Sequence, residues 1–109
     1  MGGLSSRRKG IAGELEVCAI LRDHGLKAQR TAPLQAAGNV NDADVIGVEG
    51  FHLEIKRQER VQIDSWHAQA ILAAKPTDVP CVVWRRSRER WRVALSLEDF
   101  LDLVARAAL

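Results

Sequence analysis

The chain has 109 residues, 16 Lys plus Arg against 14 Asp plus Glu, and a formal net charge of +2. That length fits one domain, and 47% hydrophobic residues supply a core, which excludes disorder over most of the chain. No apolar run approaches the ~20 residues that cross a bilayer, and no secretory leader pattern is visible, so a cytoplasmic protein without membrane contact is expected.

Residues 1–8 (MGGLSSRR) read as a flexible basic lead-in, and residues 9–109 as the single domain. From about Lys9 to His24, Ile11, Leu15, Val17, Cys18 and Leu21 recur at helical steps, and Gly25 sits at the carboxyl-cap position. Glu14 falls on that apolar stripe, an exception that calls for a role, whereas Glu16 reads as outward-facing. Lys27–Thr31 is a short strand, and residues 33–41 (PLQAAGNVN) form a mobile loop. Two strands follow, Asp44–Val48 and Phe51–Arg57, around a Glu49-Gly50 turn. In the second, Phe51, Leu53 and Ile55 share one face, and His52, Glu54 and Lys56 the other.

Asp64 caps the next helix, which runs to about Lys75 before Pro76. Cys81–Arg85 and Arg90–Leu95 pair as a hairpin around Arg86–Glu89, with Trp84 and Trp91 facing each other across it. Ser96 and Asp99 open a final amphipathic helix bearing Leu97, Phe100, Leu101, Val104 and Ala108 on one face. The order α-β-β-β-α-β-β-α describes one mixed α/β domain, with helices packed on the faces of a sheet. Cys18 and Cys81 make neither a disulfide framework nor a four-ligand zinc site, and read as reduced core thiols.

The charge is unevenly placed. Residues 85–92 (RRSRERWR) carry a local +4, and Arg7, Arg8 and Lys9 add +3, leaving −5 elsewhere. Two basic clusters on an acidic body suit a polyanion contacted over part of the surface. A solvated hairpin and a frayed terminus explain the same charge equally well; as polyanion contacts the candidates are Arg85, Arg86 and Arg88, with Arg7, Arg8, Lys9, Arg30 and Arg57.

Asp44 opens one strand, and Glu54-Ile55-Lys56 lies on the strand hairpinned to it. Two carboxylates within ~4 Å repel by about 4 kcal/mol at an effective dielectric near 20, so one is protonated or a cation lies between them. Two carboxylates, a backbone carbonyl and waters suit Mg²⁺, with Mn²⁺ able to substitute. Lys56 beside such an ion could orient water and neutralise a phosphate, as phosphodiester hydrolysis needs. An exposed Glu–Lys pair on a surface strand is the alternative for the E-x-K pattern alone.

D-x9-E-x-K after a helix with an inward Glu, together with KGIAGELE, NDADVIG and LEIKR, resembles the PD-(D/E)xK nuclease superfamily over residues 9–75. Within it the resemblance is closest to archaeal-type Holliday junction resolvases, also carried by some phages. The resemblance implies a restriction-endonuclease-like sheet and a homodimeric, Mg²⁺-dependent endonuclease that makes paired symmetric nicks in four-way DNA junctions. It assigns Glu14, Asp44, Glu54 and Lys56 to catalysis, and Glu14, Asp44, Glu54 and the Ile55 carbonyl to the metal. Gln69, one turn after Trp66, matches a glutamine of related nucleases, or is an ordinary polar helix position. Ala43 stands where the motif has proline, Asp42 is an alternative ligand, and Thr31 is a weak substitute for a loop serine. The competing readings are a superfamily nuclease acting on nicked, flapped or restriction-type DNA, and a non-catalytic DNA-binding module. No small-molecule cofactor is implied.

Overall fold

Seven residues of alternating character, Phe51–Arg57, form the strand around which the domain is organised. A computed structural model describes residues 2–31 and 43–108. In chain order these form α1 (Gly2–Asp23), β1 (Gln29–Arg30), β2 (Val45–Ile46), β3 (Phe51–Arg57), α2 (Ile63–Ala73), β4 (Val79–Arg85), β5 (Arg92–Ala94) and α3 (Leu97–Ala107). This is the element order expected from the sequence. The expected loop 33–41 and the alternative ligand Asp42 lie outside the described residues.

The five strands make one sheet in the order β1-β2-β3-β4-β5. β1–β2, β2–β3 and β4–β5 are antiparallel, while β3 and β4 run parallel from Phe51 opposite Val79 to Arg57 opposite Arg85. A parallel pair needs a crossover, which α2 supplies. Each face of β3 is covered. Leu53 and Ile55 join Val17, Cys18, Ala28, Val45, Cys81 and Val83 in a core under α1. On the other face Val82 and Trp84 pack against Trp66 of α2. The result is a single α/β domain with a mixed sheet between helices, as a restriction-endonuclease-like fold requires.

Local devices fix this arrangement. α1 ends in a Schellman motif: Leu26 N–H donates to the Leu21 carbonyl, Gly25 N–H donates to that of Arg22, and Gly25 takes φ +88°. Gly13 lets α1 lie close on β3, since a Cβ there would stand 3.2 Å from that of Arg57 and 3.3 Å from the Trp91 ring. Gly47, at φ +105°, is required more strictly, because an added Cβ would fall 2.1 Å from the Lys27 carbonyl oxygen. This close approach docks β2 onto the chain entering β1.

Four expectations are corrected. α1 starts at Gly2, so residues 2–8 are its opening turns and Arg7, Arg8 and Lys9 project from a helix; arginine and lysine are good helix formers. α2 is capped at Gln62 without a side-chain hydrogen bond, and Asp64 lies inside the first turn, where its charge still favours the helix dipole. Trp84 and Trp91 do not pair: Arg92 is opposite Trp84, whose ring sits 6.4 Å from that of Trp66 on the α2 face, while Trp91 packs into the α1 core. β2 is limited to Val45–Ile46, because Gly47 turns the chain away.

α3 is amphipathic as expected, and Ser96 Oγ accepts from Asp99 N–H at its start. Its apolar side is open: Leu97, Phe100, Leu101 and Val104 are each about half exposed or more, and none of its residues is buried. Among the described residues no helix is long and apolar enough to cross a membrane.

Candidate active site

The β2–β3 pairing brings the acidic residues together. Asp44 lies immediately before β2, its N–H donating to the Leu53 carbonyl (3.0 Å) and its carbonyl accepting from Thr31 N–H (3.2 Å). Thr31 is fully buried, and its hydroxyl donates to the Ala43 carbonyl. That hydroxyl ties Thr31 to the backbone just before Asp44. With its backbone held on both sides, Asp44 turns its carboxylate to β3, where Oδ2 accepts from Ile55 N–H at 2.8 Å.

Burial pushes the Asp44 carboxyl up to about 7, and the neighbouring Glu54 charge adds to this; the Ile55 N–H opposes it, and Glu14 and Lys56 contribute smaller effects of opposite sign. An acid held this far above its ordinary range, beside another acid, marks a candidate functional site, and a cation between the two would relieve their repulsion. Glu54 is only 4% exposed, which removes the exposed surface pair as an explanation of the E-x-K pattern. Its Oε1 accepts from His52 Nε2 at 2.9 Å.

Asp44 opens on a cleft of about 540 Å³, lined also by Lys9, Glu14, Ile55, Lys56, Arg57 and Arg60 among others. Glu54 lies behind that lining. Lys56 Nζ donates to Gln69 Oε1 at 3.1 Å, so Gln69 steadies the lysine across the gap from α2 to β3. Glu14 faces the cleft from α1 with its Oε1 accepting from Arg30 Nε at 2.9 Å. The fold therefore gathers Glu14, Asp44, Glu54, Lys56 and Gln69 into one region from α1, the start of β2, β3 and α2. Among the described residues no group of three His, Cys, Asp or Glu side chains is placed to hold a metal ion, so Glu14, expected as a ligand, does not join Asp44 and Glu54 in one ligand set. The donor set that fits the site is the Asp44–Glu54 pair, suited to Mg²⁺, which uses one or two carboxylates and completes its shell with water and phosphate oxygens.

The cations divide into committed and free. Arg85 is spent inside the protein: Nε and Nη2 donate to Glu16 (3.1 and 2.9 Å), Nη1 donates to the Arg86 carbonyl, and the guanidinium stacks 5.2 Å from the Trp91 ring centroid. Trp91 Nε1 also donates to Glu16, so Glu16 does not face outward but ties α1 to the β4–β5 hairpin. Those bonds, Arg85 first, hold its carboxyl below the usual range against the opposing effect of burial. The candidate phosphate contact at Arg85 is thus a structural tie. Arg30 is likewise engaged, with Glu14.

Arg86 pairs with Glu89 over the Trp84 ring, while Arg88 is exposed at the hairpin tip with φ +63°. The tip is docked beside the cleft, because Ser87 N–H and Oγ donate to Glu59, itself part of the cleft wall. Arg7, Arg8 and Lys9 are exposed on α1, and Lys9 reaches the cleft. Arg57 lines it too, its Nε buried and without a hydrogen-bond partner among the described residues. Sequence reasoning missed Arg60 as a cleft residue, whose signal was its position three residues after Arg57, whereas the strand face that His52 shares with Glu54 was legible.

Residues 5–108 match the model of a protein family described as "Phage putative PDDEXK endonuclease". Comparison with the curated proteins and with the solved structures gave no match. The match spans nearly the whole chain and includes every residue of the acidic and lysine cluster. On that evidence, the chain belongs to the phage PDDEXK endonuclease family.

Proposed function

We propose that the chain is a Mg²⁺-dependent DNA endonuclease whose substrate is the four-way junction, cut by paired symmetric nicks in a homodimer, within the cytoplasm of a phage-infected cell. The observation that carries the nuclease reading is Asp44 in the wall of a cleft edged by Lys56, Lys9, Arg57 and Arg60, with the buried Glu54 as its acidic neighbour. Asp44 and Glu54, with the Ile55 carbonyl, would hold the ion. When bound, Mg²⁺ or Mn²⁺ would offset the repulsion between these acids, acidify a water and stabilise charge on the phosphate.

The chain's own groups do the rest. Lys56 presents a point charge to the scissile phosphate, and Gln69, accepting from Nζ, keeps that charge on the cleft side of β3. Glu14 is restrained by Arg30 at the α1 wall, from which it can accept a hydrogen bond from an attacking water. Lys9, Arg57, Arg60 and the Arg88 tip provide sequence-independent phosphate contacts on either side. One chain holds one such site, so two cuts call for two chains related by a two-fold axis. The open apolar side of α3 is the surface that such pairing would cover.

The test uses labelled four-way junction, linear duplex, nicked duplex and flapped duplex, each with Mg²⁺ or EDTA. Paired nicks on the junction alone support the reading. Equal or better cutting of nicked, flapped or linear DNA reassigns the substrate. Metal-independent DNA binding without cleavage in Mg²⁺ or Mn²⁺ refutes the enzyme.

A further inference from the structure

Glu54 must hold one conformation to serve as a ligand, yet a buried carboxylate on a flexible stem has several rotamers and carries a desolvation cost unless hydrogen-bonded. The sequence places a partner two residues away. Alternation along β3 puts His52 and Glu54 on the same face. Both side chains are only 5% exposed, and His52 Nε2 stands 2.9 Å from Glu54 Oε1. A carboxylate only accepts, so the bond requires a hydrogen on Nε2. It engages Oε1 and leaves Oε2 of Glu54 for another partner. Among the described residues this is the hydrogen bond that reaches the Glu54 carboxylate.

We propose that His52 is a positioning residue for the metal site: by donating from Nε2 to Oε1, it fixes the Glu54 carboxylate so that Oε2 serves a divalent cation shared with Asp44. This rests on the metal-dependent nuclease reading. His52 touches neither the cation nor the substrate and acts through Glu54. The pattern is general, since carboxylates that ligate metals are themselves oriented by outer hydrogen bonds whose loss lowers metal affinity about 10–100-fold.

The test compares wild type, His52→Gln and His52→Asn, with Mn²⁺ as the probe. Free Mn²⁺ is read by electron paramagnetic resonance in the absence of DNA, and folding is checked by circular dichroism. The longer glutamine amide reaches where Nε2 stood, whereas the asparagine amide stops short of it. His52→Gln should bind Mn²⁺ within about threefold of wild type, and His52→Asn about 10–100-fold more weakly. Equal affinity in all three proteins would overturn the assignment. So would equal weakening of both variants, which would show that the ring and not its donor matters. If His52→Asn does not fold, a tenfold or greater loss in His52→Gln overturns it and wild-type-like affinity upholds it. A wild type that binds no Mn²⁺ defeats the nuclease reading itself, an outcome distinct from wild-type binding that is indifferent to position 52.

Discussion

Replacing Asp44 by Asn should stabilise the metal-free protein at neutral pH and leave it almost unchanged in acid. The Asp44 carboxyl titrates near 3.8 in an unfolded chain and at about 7 in the folded one, where burial comes first and the Glu54 charge second. The folded state therefore binds a proton between these values that the unfolded state does not. Stability falls as pH rises through that window, and the full cost is present above it. At about 1.36 kcal/mol per pH unit, the rise from 3.8 to about 7 sets a ceiling of about 4 kcal/mol. Asparagine removes the charge but keeps an oxygen to accept from Ile55 N–H. Urea unfolding in EDTA should show Asp44→Asn more stable than wild type by about 2–4 kcal/mol at pH 7.5, and within about 1 kcal/mol at pH 4. Saturating Mg²⁺ should then raise wild type and leave the variant alone. A gap that does not change with pH, or a variant less stable at pH 7.5, would refute the picture of two acids held together for a cation.

Further outcomes follow from the division of the arginines. Arg85→Ala should lower stability by about 1–3 kcal/mol in thermal unfolding, because it breaks the tie to Glu16 and uncovers Trp91; the half-exposed Glu16 keeps the loss below that of a fully buried pair. Arg60→Ala with Arg88→Ala should fold normally but reduce the salt slope of DNA binding by about 2, measured by fluorescence anisotropy across a salt series. Gly47→Ala should destabilise by at least ~2 kcal/mol in urea unfolding, since a side chain at φ +105° would meet the Lys27 carbonyl.

What was legible in the sequence was what periodicity and punctuation control. The alternation of Phe51–Arg57 defined β3 to the residue, Gly25 marked the end of α1, and Ser96 marked the start of α3. The acidic and lysine cluster was legible because its members come from segments whose pairing the Glu49-Gly50 turn dictates. The partners of those residues were not. Glu16 to Arg85 spans 69 positions, and no local rule says which arginine of RRSRERWR turns inward to a glutamate on α1. The same applies to Gln69 on Lys56 and Arg30 on Glu14, which depend on how helices sit over the sheet. Trp84 and Trp91 were misplaced for a related reason: hairpin spacing proposes a pair, but the register puts Arg92 opposite Trp84. Thr31 illustrates the limit of reading by motif, since its hydroxyl serves the backbone at Ala43.

Asp44, Glu54 and Lys56 are proposed to form a metal-dependent site for cutting DNA. The most direct test of this is incision of a labelled four-way junction by wild type and Glu54→Gln, in Mg²⁺ and in EDTA, with junction binding measured alongside. Wild type should nick in Mg²⁺ and not in EDTA, while Glu54→Gln should bind the junction yet leave it intact. Cutting by Glu54→Gln at the wild-type rate, or by wild type in EDTA, would contradict it.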